Sequence, residues 1–379
     1  MSAYYEIVPC VILAGGKGSR MGGKEKALVN LLDRPLISYT LEKISGKVAP
    51  IALNVNTNLK EFKKFGYKML EDPIKGHLGP LVGILASLNW AKNLDQKWVL
   101  TLPCDTPFLP KNLIESLIDA KNKNPDIDVV VAQSRGFKHP VIALWKTSNN
   151  IKLKNAIEDG IRKIDIFTSQ LKIKHVNFDN LNKSKFDPFT NLNSPKDLII
   201  AMQILGKLPP IIGLAGWSGS GKTTLCAKLI ENFTKIGIKV GTLKHAHQKF
   251  DIDKPGKDSY NLRKAGARSV VISSKKRFAL IQENDNEEKN LFEMLEIFSK
   301  SPINNCDLIL VEGYKKEFIK KLEVFRSEID KPFLYPNDKN IFAIVSDKKI
   351  EVPIPYHNIN NIRDICELLI KTSETQLYK

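Results

Sequence analysis

The feature that most constrains this chain is the stretch IIGLAGWSGSGKTTL, residues 211–225. An apolar run reads as a buried strand, a glycine-rich loop follows it, and a helix-forming segment follows the loop. The loop fits G-x-x-x-x-G-K-S/T, with Gly216, Gly221, Lys222 and Thr223 in the required places. Glycines let the backbone curl so that successive N–H groups face inward and cradle phosphate oxygens, and the helix N-terminus adds partial positive charge. Ser218, Gly219, Ser220 and Thr224 belong to the same cradle. Lys222 is expected to reach the outer phosphates, and the Thr223 hydroxyl to ligate Mg²⁺. A strand carrying such a loop beside a buried second strand implies an α/β fold. The loop begins past the midpoint of a 379-residue chain, which leaves room for a complete domain before it.

That earlier part has a phosphate loop of a different kind. CVILAGG, residues 10–16, reads as strand then turn, and the chain continues KGSRMGGKEKALV. Leu13, Ala14, Gly15, Gly16, Gly18, Arg20, Met21, Gly22 and Lys26 spell L-A-G-G-x-G-x-R-M-G-x-x-x-K. Two cations in such a loop suit a triphosphate, one on the outer phosphates and one near the phosphorus under attack, so Arg20 and Lys26 are catalytic candidates. PIALNVN reads as a second strand ending in Asn54 and Asn56, and YKMLEDP places Asp72 after a short strand. Ligands of open α/β sheets bind beyond the carboxyl ends of the strands, so these polar ends are candidates to face substrate, with a turn residue the competing role for each. WVLTLPCDTPFLP is a buried strand ending at Asp105, where a Mg²⁺ ligand belongs, although a helix N-cap for residues 111–120 is the competing role. His139 precedes a proline in a strand. Asn191 and Asn193 alternate in a segment expected to form a strand end, turn and final helix over 189–202.

In the second half, KVGTLKHAHQKFDIDKPGKDSYNLRKAGA gathers His245, His247, Asp251, Asp253 and Asp258 after a strand ending at Lys244. The spacing lacks cysteine partners and helical His pairs, which argues against zinc and for a loop ordered around nucleotide, anion or Mg²⁺. CDLILVEGYK reads as a buried strand leading to Glu312, the natural metal-side carboxylate of a phosphate-loop protein. Strands are expected over 269–273, 277–282 and 342–346, with a last helix over 362–370. The seam lies near Lys207, where Gly206 suits the end of a helix and Pro209-Pro210 stiffens the connection. The expected domains are 1–206 and 207–379.

Charge narrows the partners. The chain has 58 Lys+Arg against 41 Asp+Glu, a net +17. The excess is scattered lysine, with no nucleic-acid-binding module, so anionic small molecules fit better than nucleic acid. The five cysteines have no C-x-x-C spacing, and Cys10, Cys226 and Cys306 read as small core residues. No stretch approaches the roughly eighteen apolar residues that span a bilayer, and MSAYYEIV does not resemble a signal peptide. The expected compartment is the cytoplasm, with no membrane partner.

Residues 11–202, through LAGGKGSRMGGKEK, LNVN, LEDP, LGPLVGIL, PCDTPFLP, HPVIAL and NLNSPKDL, resemble the molybdenum cofactor guanylyltransferases, with Glu25 where that family often has Asp. The resemblance implies a Rossmann-like nucleotidyltransferase domain in which Leu13, Ala14, Gly15, Gly16, Lys26, Asn54, Asp72, Gly79 and Asp105 bind GTP and Asp105 holds Mg²⁺. Residues 211–325, through GWSGSGKTTL, LKHAHQ, DIDKPGKDSYNLRKAGA and LILVEGYK, resemble the molybdopterin-guanine dinucleotide biosynthesis adaptors, which are P-loop GTP-binding proteins. Gln248 stands where relatives can carry a further His. Together the resemblances imply transfer of GMP from GTP to molybdenum-molybdopterin, weak GTPase activity in the second domain, and transient contact with cofactor insertion proteins and target molybdoenzymes. From the residues alone two other readings stay open: a cytidylyl- or sugar-phosphate nucleotidyltransferase, and a GTP-dependent cofactor carrier without transferase activity.

Overall fold

A computed structural model describes residues 6–16, 25–76, 79–179, 186–246, 251–284, 288–300 and 305–377. The chain divides into two compact units, the first ending at Met202 and the second spanning Gln203–Leu377. Arg20, Gly18, Met21 and Gly22 of the first loop, and His247 and Gln248 of the second unit, lie outside the described residues.

The strands of the first unit are β1 (Cys10–Leu13), β2 (Asn30–Leu31), β3 (Arg34–Pro35), β4 (Ile51–Asn54), β5 (Lys68–Leu70), β6 (Trp98–Pro103), β7 (Val129–Ser134), β8 (Phe137–Lys146) and β9 (Ile173–Asn177). Seven of them form one sheet in the order β5-β4-β1-β6-β8-β7-β9, and β2 and β3 form a separate antiparallel pair. β5, β4, β1 and β6 run parallel, while β8 is antiparallel to both neighbours. Alternation along β1 sends Cys10 and Ile12 to one face and Val11 to the other. Helices Leu36–Ile44 and Leu113–Asn122 cover the first face, and helices Pro80–Lys92 and Asn150–Glu158 the second. Both faces being dry explains why the central strands read as continuous apolar runs.

The second unit has β10 (Ile211–Ala215), β11 (Val240–Lys244), β12 (Ser269–Ser273), β13 (Phe278–Gln282), β14 (Leu308–Glu312), β15 (Lys321–Phe325), β16 (Ile341–Ser346) and β17 (Tyr356–Asn358). Six form a parallel sheet ordered β11-β14-β10-β15-β16-β17, and β12 and β13 make a separate hairpin. Leu225, Leu229 and Phe233 of helix Lys222–Lys235 pack with Ile365 and Leu369 of helix Ile362–Leu377 against Ile212 and Leu214 of β10. β10 lies between β14 and β15, so whatever follows either neighbour arrives beside the phosphate loop.

Some expectations need correction. The segment before helix Pro195–Ile204 forms no strand. Side chains compete for its backbone: Asp187 Oδ1 accepts from Phe189 N at 2.9 Å, and Asp197 Oδ2 from Asn193 N at 2.8 Å. The last helix runs Ile362–Leu377 rather than stopping at 370, because KTSETQL offers no breaker. Its Thr372 and Ser373 hydroxyls donate to the Leu368 and Leu369 carbonyls at 2.8 and 2.7 Å. Asp105 caps no helix, since the following one starts at Leu113 after Asn112. Cys10 and Cys226 are buried, but Cys306 is only half-buried.

Candidate active site and nucleotide loop

The parallel strands β4, β1 and β6 end together, and a cavity of about 780 Å³ opens beyond them. Leu13, Gly15, Gly16, Lys26, Asn54, Asp72, Gly79 and Asp105 all line it, as do His139 and Asn191. Ala14 does not; it is buried, and its N–H donates to the Asn54 carbonyl at 2.9 Å, fixing where the first loop leaves the sheet.

Asp72 sits between two asparagines. Its carboxylate accepts from Asn54 Nδ2 at 2.9 Å and Asn56 Nδ2 at 2.8 Å, while its N–H donates to Asn56 Oδ1 at 2.9 Å. An ionised carboxylate has about four lone-pair sites, so two bonds leave acceptor capacity for N–H groups of a ligand. Glycines make room for this clamp. A methyl on Gly83 would lie 2.4 Å from Asn54 Oδ1, and one on Gly15 would lie 2.9 Å from Asn56 Nδ2. Asn56 was expected to face substrate together with Asn54, and here it holds Asp72; Gly83 was not singled out, because the LGPLVGIL motif contains it without showing that it faces Asn54.

At the other wall, the Lys26 ammonium donates to Asp105 Oδ2 and to Asn193 Oδ1. Asp105 Oδ1 is buried and has no hydrogen-bond partner among the described residues. A buried carboxylate oxygen left open costs free energy unless a ligand satisfies it, and a hard cation with oxygen ligands is such a ligand. Among the described residues no three His, Cys, Asp or Glu side chains converge to hold a metal. A cation here would therefore take Asp105 from the protein and complete its shell with phosphate and water, which is the habit of Mg²⁺. Glu25 accepts from the Thr57 hydroxyl, which leaves the loop lysine free to point at Asp105.

His139 belongs to a chain of hydrogen bonds. Ser134 Oγ donates to Asp187 Oδ1 at 2.7 Å, so it accepts from His139 Nε2, also at 2.7 Å. The imidazole packs on Phe189 with centroids 4.8 Å apart, and burial pushes its pKa down. Asp187 thus ties the β7–β8 hairpin to the segment carrying Asn191 and Asn193. Neither Ser134 nor Asp187 belongs to a motif; the His-Pro pair was the one available signal.

In the second unit the phosphate loop is open at Ser218, Gly219, Thr223 and Thr224 and closed at Ser220, whose Oγ is buried and has no partner among the described residues. Gly216, Gly219 and Gly221 have φ of 148°, 81° and 88°, all in the region that favours glycine. Thr223 Oγ1 donates to Glu312 at 2.8 Å, which pairs the two groups expected on the metal side. Lys222 Nζ donates to the Trp217 carbonyl at 2.6 Å; burial pushes its pKa down, and Glu312 opposes that. Lys244 approaches Glu312 at 3.6 Å. The aspartates downstream are already answered: Arg263 holds Asp251 at 2.7 Å, Asp253 at 2.9 Å and Glu283 at 3.1 Å. His245 is bonded to Glu288 and stacked on Tyr314 at 4.6 Å.

Comparison with known proteins follows the same division. Residues 10–171 match the MobA-like NTP transferase domain family, and residues 211–347 match the family of molybdopterin guanine dinucleotide synthesis protein B. The molybdenum cofactor guanylyltransferase of Rhodopseudomonas palustris is 38% identical over 205 residues, 53% of this chain and 96% of that protein. The molybdopterin-guanine dinucleotide biosynthesis adapter protein of Escherichia coli is 38% identical over 168 residues, 44% of this chain and 95% of that protein. The solved molybdopterin-guanine dinucleotide biosynthesis protein A of Archaeoglobus fulgidus is 27% identical, with a TM-score of 0.44, covering 53% of this chain and 100% of its own. With nearly the full length of a relative covered in each half, the chain belongs to the molybdenum cofactor guanylyltransferase family through its first unit and to the molybdopterin-guanine dinucleotide biosynthesis adapter family through its second.

Proposed function

We propose that the first unit transfers GMP from GTP to molybdenum-molybdopterin, giving molybdopterin guanine dinucleotide and pyrophosphate, and that the second unit binds and slowly hydrolyses GTP in support of that pathway. The observation that supports this most directly is the Lys26 ammonium held between Asp105 and Asn193 at the cavity wall, with Asp105 Oδ1 buried and open.

The reaction needs no protein nucleophile. A terminal phosphate oxygen of the pterin attacks the α-phosphorus of GTP in line; the bond to the bridging oxygen breaks, and pyrophosphate leaves with its electron pair. Lys26 neutralises charge that develops on the phosphoryl oxygens, and Arg20 is assigned the outer phosphates. The Asn54–Asp72–Asn56 clamp receives the nucleoside, with the remaining Asp72 lone pairs facing the N–H donors of guanine. Gly15 and Gly16 let the backbone approach the phosphates. Asp105 would hold Mg²⁺ through Oδ1, where the cation supplies charge neutralisation for the departing pyrophosphate. In the second unit Lys222 meets the phosphates of GTP, while Thr223 and Glu312 take the metal side.

Covalent fusion raises the concentration of each unit for the other without any new contact. Among the described residues no helix is long and apolar enough to cross a membrane, and we place the reaction in the cytoplasm. Contact with cofactor insertion proteins and target molybdoenzymes belongs to the same reading. The test is nucleotidyl transfer by the full chain, given Mg²⁺ and molybdopterin with GTP, CTP or ATP in turn, and the product weighed by mass spectrometry. A guanine dinucleotide from GTP alone is expected. A cytosine product would move the first unit to a sister activity, and bound GTP without any product would leave a carrier.

A further inference from the structure

The segment after β15 lies over the phosphate loop of the second unit, although no motif marks it. It is fixed at both ends by carboxylates. Asp347, just past β16, accepts from Ser327 N at 3.0 Å and Ser327 Oγ at 3.2 Å. Glu323 of β15, almost fully buried, accepts from Leu334 N at 2.7 Å and Tyr335 N at 2.9 Å. From Arg326, just before the first anchor, to Pro332 the segment meets the loop three times. Trp217 Nε1 donates to the Pro332 carbonyl at 2.8 Å. A methyl on Gly219 would lie 3.7 Å from Ile329 Cδ1, and one on Gly221 would lie 3.4 Å from Arg326 Nη2 and 3.5 Å from its Nε. The Arg326 guanidinium therefore rests on Gly221, the last residue before helix Lys222–Lys235.

Arg326 is half-buried, and among the described residues its guanidinium makes no ion pair or hydrogen bond. A cation held partly out of water with no carboxylate beside it is an incomplete arrangement, and it lies where positive charge already gathers. Lys315 and Lys331 stand 5.1 and 6.0 Å from the Trp217 ring centre, and Lys222 lies two residues after Ser220, whose hydroxyl also has no partner among the described residues. The strand order gives the loop two sides. Glu312, at the end of β14, meets Thr223 from one neighbour of β10, and Arg326, following β15, meets Gly221 from the other.

We propose that Arg326 is a phosphate-binding residue of the second unit, gripping the polyphosphate of a nucleoside di- or triphosphate on the side of the loop away from the Thr223–Glu312 metal pair. This deepens the GTP-binding reading of that unit and rests on it. A planar guanidinium presents a fork of donors to phosphate oxygens, which an ammonium reproduces only as a point charge. Because the contact does not pass through the metal, it persists when the metal is removed.

The experiment measures equilibrium binding of radiolabelled GDP to the full chain, with Mg²⁺ and in EDTA, for wild type and for Lys222→Ala, Arg326→Ala, Arg326→Gln and Arg326→Lys. The component lost in Lys222→Ala identifies the second unit's site. That component is expected to weaken at least tenfold in Arg326→Ala and Arg326→Gln in both buffers, with a shallower salt dependence, and to recover in part in Arg326→Lys. Thermal unfolding of the variants separates charge from folding, since Gln removes the charge while keeping a polar side chain and Lys keeps the charge. Affinities within twofold of wild type for Gln and Lys alike would overturn the proposal. A wild-type chain with no Lys222-dependent GDP component would instead overturn the nucleotide reading beneath it.

Discussion

Lys26 and Asp105 form an ion pair at the cavity wall with side chains only 12% and 8% exposed, and the pair uses one oxygen of the carboxylate while the other stays open. The two residues are 79 positions apart and meet because β1 and β6 are adjacent parallel strands. The arrangement predicts losses of both activity and stability from either partner. Asp105→Asn keeps the shape but removes the charge that holds Lys26 and a cation, so kcat should fall about a hundredfold or more. Lys26→Ala should lose comparable activity, and each variant should destabilise the unit by about 3 kcal/mol, because each leaves a desolvated charge without its counter-charge. Steady-state kinetics and thermal unfolding of both variants check this; variants as stable as wild type would show that the pair is not desolvated as described.

Glycine 83 is a test of the clamp from outside the ligand shell. It lies in helix Pro80–Lys92, where alanine would ordinarily be favoured by about 1 kcal/mol. Here the added methyl would lie 2.4 Å from Asn54 Oδ1. Gly83→Ala should therefore displace Asn54 from Asp72, raise KM for GTP about tenfold, and cost stability despite the better helix former. Asn54→Ala in the same background should remove most of the stability penalty, since the clash disappears with the side chain. If Gly83→Ala binds GTP normally, Asn54 is not held where the clamp needs it.

What the sequence made legible was local. Gly15, Lys26, Asn54, Asp72 and Asp105 each stand at the carboxyl end of a strand or in the loop beyond it, and strand ends can be read from apolar runs closed by glycine, proline or a carboxylate. The partnerships among them could not be read. Asn193 reaches Lys26 across 167 positions, and Asp187 reaches Ser134 across 53, through segments with no regular periodicity. The segment 326–335 was opaque for the same reason. Its anchors, Glu323 and Asp347, grip backbone N–H groups, and a backbone donor leaves no trace in residue identity.

In the phosphate loop of the second unit, backbone shape and metal-side chemistry should separate. Gly216 has φ of 148°, and a methyl there would lie 2.5 Å from the Val324 carbonyl oxygen and 2.7 Å from Ser220 Oγ. Gly216→Ala should abolish GDP and GTP binding at this loop together. Glu312→Gln keeps the loop and its hydrogen bond from Thr223 but removes the charge, so GDP should still bind while phosphate release from GTP falls tenfold or more. Phosphate release without molybdopterin reads the second unit alone, because transfer by the first unit yields pyrophosphate. Parallel losses in the two variants would contradict the separation.

The half-buried imidazole of His139 makes the first unit sensitive to acid. Burial pushes the His139 pKa below its ordinary value of about 6.5, with Asp187 acting in the opposite sense. In the unfolded chain the ring takes a proton as pH falls through that ordinary value, whereas the folded ring resists until a lower pH. Between those two points the unfolded state binds more protons, so stability declines as pH falls and is fully present above the ordinary value. His175 is shifted the same way by burial and by Lys138, and adds to the slope. The melting temperature of the first unit should therefore drop as pH is lowered from 7 towards 5, and His139→Gln should flatten the curve to the share left by His175. Gln keeps a donor for Ser134 Oγ, so the chain of hydrogen bonds to Asp187 survives while the titration is removed. A slope unchanged by His139→Gln would mean that the imidazole is as well solvated in the folded protein as in the unfolded one, contrary to its packing against Phe189.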